Sequence, residues 1–128
     1  MTKKKSFYAM VEEICEKVPR YKPDSYEFVM QALHFTQKKL KRQTHVTGKE
    51  LSAGIREYVI EQYGPMAKTV LQHWGIIKTE DFGHIVFTMV AHKMLSKTDQ
   101  DSLEDFKDVF DFEEAFGNVL RDSPINIK

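Results

Sequence analysis

Apolar residues recur at intervals of three and four along most of the chain, which is the period of α-helices that each bury one face. Prolines, glycines and polar links divide this pattern into five segments. The predicted helices span 6–18, 24–41, 47–63, 65–74 and 79–95. The last segment follows the helical period most closely, so we expect it to lie in the core. The residues predicted to pack there are Phe82, Ile85, Val86 and Met89, together with Leu51, Ile55, Val70 and Trp74.

Side chains suited to capping stand where these segments begin. Serine, threonine and aspartate accept a hydrogen bond from a free N–H of the first turn, and a glutamate three residues later completes a capping box. The predicted caps are Ser6 and Thr79, and the predicted boxes pair Asp24 with Glu27, Thr47 with Glu50 and Asp111 with Glu114. Two glycines inside helices, Gly54 and Gly83, predict close helix crossings. For Gly83 a ligand that approaches the backbone is the alternative.

The helical pattern changes after residue 95. Residues 96–102 are polar, 106–110 alternate loosely as a short strand would, and 111–116 predict a short helix. The order of these elements resembles a winged helix, with 79–95 as recognition helix and 94–110 as the wing hairpin. The predicted fold is therefore mainly α, with five or six helices in one compact domain of residues 1–128. Its C-terminal half is winged-helix-like with a short β-hairpin, and residues 1–5 and 117–128 are expected to fray.

Composition places the chain among folded globular proteins. It has 128 residues, of which 41% are hydrophobic and 30% charged. No apolar stretch approaches the roughly 20 residues that span a bilayer, and no membrane partner is predicted. Cys15 is the single cysteine, so an intramolecular disulfide is excluded. The basic N-terminus is not followed by an unbroken apolar run, and we predict a cytoplasmic protein.

Charge is unevenly distributed although the formal net charge is zero. Residues 1–78 carry 14 lysines and arginines against 8 acidic residues, whereas residues 79–128 carry 5 against 11. The simpler interpretation is that the two parts attract each other within one fold. The alternative is that two surfaces of opposite sign serve different partners.

The sequence contains no motif of a known active site, metal site or cofactor site. His84 and His92 are eight residues apart, which separates them by about 12 Å along a helix, too far to share one ion. No nucleophile elbow and no glycine-rich phosphate loop occurs. Cys15 is predicted to act as a small buried or half-buried hydrophobic residue. We therefore predict no cofactor, no metal and no catalytic residue.

Two groups of residues are candidate binding sites. Trp74, Glu80, Asp81 and His84 surround a predicted helix start, where an aromatic side chain and two acids can accept a basic or apolar segment of a partner. The alternative is that Trp74 belongs to the core and that the two acids only favour the first turn. The second group comprises Lys38, Lys39, Lys41 and Arg42, which we call the basic cluster and which can contact nucleic-acid phosphates. A solvated helix end is the simpler interpretation of that cluster.

Several short motifs give the chain a family resemblance. They stand at residues 46–51, 54–56, 63–67, 74–76, 79–87, 95–98, 101–102, 105–106 and 111–112, with further likeness at 21–29. With these motifs the chain resembles an uncharacterised bacterial family found mainly in Verrucomicrobia and Planctomycetes. The resemblance implies no established activity and therefore no catalytic residues.

The predicted function is a small non-enzymatic interaction or regulatory module that binds another protein. A winged-helix-like nucleic-acid-binding protein is the first alternative, although Glu80 and Asp81 at the start of its recognition helix would oppose contact with phosphates. An enzyme whose site is assembled from scattered groups is the second. The oligomeric state is left open.

Overall fold

Six α-helices and two short 3₁₀ turns form the part of the protein that the computed structural model describes, which is residues 6–42, 45–98 and 100–117. The helices are α1 (Phe7–Lys17), α2 (Pro23–Lys39), α3 (Gly48–Tyr63), α4 (Ala67–His73), α5 (Thr79–Ala91) and α6 (Phe112–Phe116). The 3₁₀ turns are Gly64–Met66 and Leu103–Phe106. The mainly helical fold and the order of the predicted helices are confirmed. The fraying predicted for 1–5 and for the end of the chain lies outside the described residues, apart from Gly117.

The predicted hairpin is wrong, because residues 6–42, 45–98 and 100–117 contain no β-strand. Phe106 ends a 3₁₀ turn and is buried rather than extended along a sheet. Asp108 has a left-handed φ of 49°, which breaks an extended run. The Val109 N–H donates to the Thr79 hydroxyl at 3.2 Å instead of to a neighbouring strand. The wing of a winged helix is therefore not formed by these residues.

Most of the predicted caps are confirmed. The Ser6 hydroxyl accepts from the Ala9 N–H, and Thr47 and Glu50 form the reciprocal box. Asp111 caps α6 by accepting from the Glu114 N–H, but the Glu114 side chain does not complete a box there. The box predicted at Asp24 is wrong, since Lys22 occupies the cap position and Pro23 begins α2. Proline suits that first position because it lacks the N–H that would stay unpaired there. Thr79 lies inside α5 rather than at its cap.

The core forms around α2, which packs against α1, α3 and α5. Of the eight predicted core residues, six are buried and two, Val70 and Val86, are half-buried. Helices α2 and α3 run antiparallel and approach closely at Gly54, where an added Cβ would lie 1.8 Å from the Thr36 hydroxyl oxygen. This confirms the close crossing predicted for Gly54. At Gly83 the space is filled by the Phe106 ring, so this glycine makes room for a 3₁₀ turn and not for another helix.

None of the helices in the described ranges is long and apolar enough to cross a membrane.

Candidate functional site

The four residues predicted around the start of α5 do not form one site. Asp81 is fully buried and faces the protein interior. Glu80 is half-buried beside a pocket lined by α5 and α6 residues, and His84 is exposed on α5. Trp74 lines a different pocket, formed with α2 and the end of α3. The structure thus separates the aromatic residue from the acidic residues that were grouped with it.

The Asp81 carboxylate joins the turn between α1 and α2 to the start of α5. One oxygen accepts from the Tyr21 hydroxyl at 2.6 Å and from the Arg20 guanidinium at 3.0 Å. The other accepts from the backbone N–H groups of Ile77 at 2.9 Å and Lys78 at 3.2 Å. Burial, followed by the hydrogen bond to Asp81, raises the pKa of Tyr21 above its ordinary value. Because all its bonds are internal, Asp81 stabilises the fold and offers no oxygen to a ligand.

The same turn fixes the position of Trp74. The Lys22 N–H donates to the Trp74 carbonyl at 3.1 Å. Gly75 follows with a φ of 91°, and a Cβ there would lie 2.5 Å from the Arg20 carbonyl oxygen. Glycine is required at this position by both its left-handed conformation and the approach of the other backbone. These contacts hold the indole ring of Trp74 against the first turns of α2.

Three aromatic rings form the inner wall of the pocket beside Trp74, where Phe28 is only 3% and Trp74 only 7% exposed. The Phe28 ring centroid lies 5.3 Å from that of Trp74, and Tyr63 meets Trp74 edge to face at 5.7 Å. Phe28 and Tyr63 lie 6.2 Å apart. Phe28 comes from α2 and Tyr63 is the last residue of α3, so the antiparallel helix pair and the Gly75 turn together assemble the wall. Rings in this arrangement pack at the distances preferred by aromatic pairs.

Two carboxylates and an amide form the rim of this pocket. Its lining residues are Asp24, Glu27, Phe28, Gln31, Tyr63 and Trp74, and we call the space of about 300 Å³ that they enclose the Trp74 pocket. The four α2 residues are spaced i, i+3, i+4 and i+7 and therefore share one face of the helix. The pocket consequently presents negative charge beside aromatic rings.

The carboxylate oxygens of the rim are largely free of protein partners. Among the described residues Asp24 has no hydrogen-bond or ion-pair partner. Glu27 accepts the Tyr8 hydroxyl at 3.3 Å and the Gln31 amide at 3.4 Å on a single oxygen, Oε1. Gln31 in turn accepts the Tyr58 hydroxyl at 3.3 Å. Glu27 is thereby oriented by its neighbours while its second oxygen stays available.

The rim carboxylates act on the neighbouring Tyr63. Burial, followed by Tyr58, raises the pKa of Tyr63 above its usual value, and the negative charges of Asp24 and Glu27 add to the increase. A phenol responds in this way because its ionised form would be a further anion beside two carboxylates. Asp24 lies in the first turn of α2, where the helix dipole favours a negative charge.

The indole ring of Trp74 belongs mainly to the core, since the residue is only 7% exposed. Its N–H has no acceptor within the described ranges. No fully buried side-chain nitrogen or oxygen in those ranges lacks a hydrogen-bond partner, so this N–H keeps some contact with solvent.

Sequence reasoning identified Trp74 but missed the residues that surround it. Asp24 and Glu27 are predicted from the sequence to form a capping box, and Phe28 is not among the predicted site residues. The signal was present in the i, i+3, i+4, i+7 spacing of two acids, an aromatic residue and an amide on one helix. The sequence does not show that Tyr63 and Trp74 lie beside these α2 residues, because their position depends on how α3 and α4 pack.

The basic cluster at the end of α2 is partly neutralised. Lys39 pairs with Glu57, and the Arg42 guanidinium donates to Glu50 at 2.6 Å. The Thr47 backbone N–H, followed by Arg42, lowers the pKa of Glu50. Lys38 and Lys41 are exposed and have no ion-pair partner in the described chain. The contact of this cluster with nucleic acid stays a prediction.

A larger polar pocket of about 610 Å³ lies between the start of α3 and the loop before the second 3₁₀ turn. His45 and Asp101 face each other there, with His45 Nε2 3.1 Å from a carboxylate oxygen. Burial opposes the effect, but the Thr98 N–H and His45 together lower the pKa of Asp101. No three histidine, cysteine or acidic side chains within 6–42, 45–98 and 100–117 are placed to hold a metal ion.

Comparison with protein-family models, with curated proteins and with solved structures found no match to this chain. The bacterial family resemblance noted from the motifs therefore stays a prediction. In the Trp74 pocket two carboxylates without cationic partners lie beside nearly buried aromatic rings.

Proposed function

We propose that this protein is a non-enzymatic interaction module, and that its Trp74 pocket binds a basic side chain in a segment of another protein. The observation that carries the proposal is that two carboxylates without cationic partners, Asp24 and Glu27, lie together on one face of α2 at the rim of this pocket. Carboxylates attract a cation, and an arginine or lysine side chain of a partner supplies one. A cytoplasmic location remains part of this proposal.

The size of the pocket agrees with a single side chain rather than with a large ligand. Its volume of about 300 Å³ is at the lower end of the range for small-molecule sites, about 300–1,000 Å³. An extended or looped segment that inserts one basic residue would place its remaining contacts on the exposed surface around the rim. Electrostatic complementarity of this kind contributes mainly to specificity and to the rate of association.

The test compares two double variants in the binding of a short peptide that carries arginine and lysine between neutral residues. Asp24→Asn with Glu27→Gln removes the charge of the pocket and preserves the shape of both side chains. Asp108→Asn with Glu104→Gln removes the same charge from exposed positions outside the pocket. Fluorescence anisotropy of the labelled peptide gives the Kd for each protein.

We expect the pocket variant to bind about tenfold more weakly than wild type, whereas the control variant stays within about twofold. Equal losses in the two variants would mean that the peptide responds only to overall charge. Unchanged binding by the pocket variant would assign the peptide to another surface. Either result would reject the proposal.

A further inference from the structure

We draw no further inference here: the strongest candidate, the groove of about 310 Å³ between α2, α3 and α5 that the half-buried side chains of Leu33, Val86 and Leu95 line, is an unpartnered, mainly apolar surface, and nothing among the described residues shows what covers it.

Discussion

Asp81 illustrates how one side chain can determine the arrangement of two distant parts of the chain. It was predicted as a binding residue because an acidic helix start beside an aromatic side chain can accept a basic or apolar segment of a partner. The structure places it at 0% exposure, with four donors from the α1–α2 turn and the residues before α5. Nothing in the local sequence distinguishes it from Glu80, since the difference arises from Arg20 and Tyr21 some 60 positions earlier.

Replacing Asp81 by asparagine should destabilise the protein strongly. The amide keeps the size of the side chain, but it carries no charge for Arg20 and turns an N–H₂ group towards other donors. We expect the free energy of unfolding to fall by about 2–4 kcal/mol, as measured by urea denaturation. Glu80→Gln, the adjacent acid, should change it by less than about 0.5 kcal/mol. Similar effects of the two changes would contradict the role assigned to Asp81.

At the scale of helices, the sequence predicted several helix starts correctly. A cap depends only on residues within one turn, so it can be recognised locally. The caps found where they were predicted are Ser6, Thr47 with Glu50, and Asp111. The alternation at 106–110 was misread, since Phe106 is held by Gly83 in α5 and not by a neighbouring strand. A short run of alternating apolar residues does not distinguish a strand from an irregular segment. Both can have alternate side chains buried, the second against a distant helix.

The crossing of α2 and α3 yields a prediction at this scale. In an isolated helix Gly54→Ala would be favourable by about 1 kcal/mol. Here the new methyl group would overlap the Thr36 side chain, so we expect the free energy of unfolding to fall by about 1–3 kcal/mol in chemical denaturation. Combining it with Thr36→Ala should recover part of the loss, because the two sites are in contact. A net stabilisation by Gly54→Ala alone would show that the helices are not this close.

Across the whole molecule, the uneven charge of the sequence is partly explained by contacts within the fold. Arg20 pairs with Asp81 and Lys68 with Glu113, and each pair joins the basic first part of the chain to the acidic second part. This agrees with the simpler interpretation of the charge pattern. Asp24 and Glu27, like Glu12, Glu16 and Glu61, are acids in the basic part and have no cationic partner among the described residues. In the proposed function Asp24 and Glu27 are the charges that the partner complements.

The Trp74 pocket shows where sequence reasoning reaches its limit. A single sequence contains the α2 stripe of Asp24, Glu27 and Gln31, and it contains Trp74 beside a glycine turn. The sequence does not show that these residues lie side by side. Their proximity depends on the antiparallel packing of α2 and α3 and on the close approach of the Arg20 backbone to Gly75. Local patterns therefore predicted the helices and singled out Trp74. The Trp74 pocket itself forms only through tertiary packing and could not be predicted from them.

Binding of a basic segment at the Trp74 pocket can be mapped by NMR. An arginine-containing peptide is titrated into the ¹⁵N-labelled protein, and the backbone amide shifts are followed. The account predicts that the largest changes occur at Asp24, Glu27, Gln31, Tyr63 and Trp74, and that residues around His45 and Asp101 stay unchanged. Changes centred on the His45–Asp101 pocket, with Trp74 and Tyr63 unaffected, would contradict it.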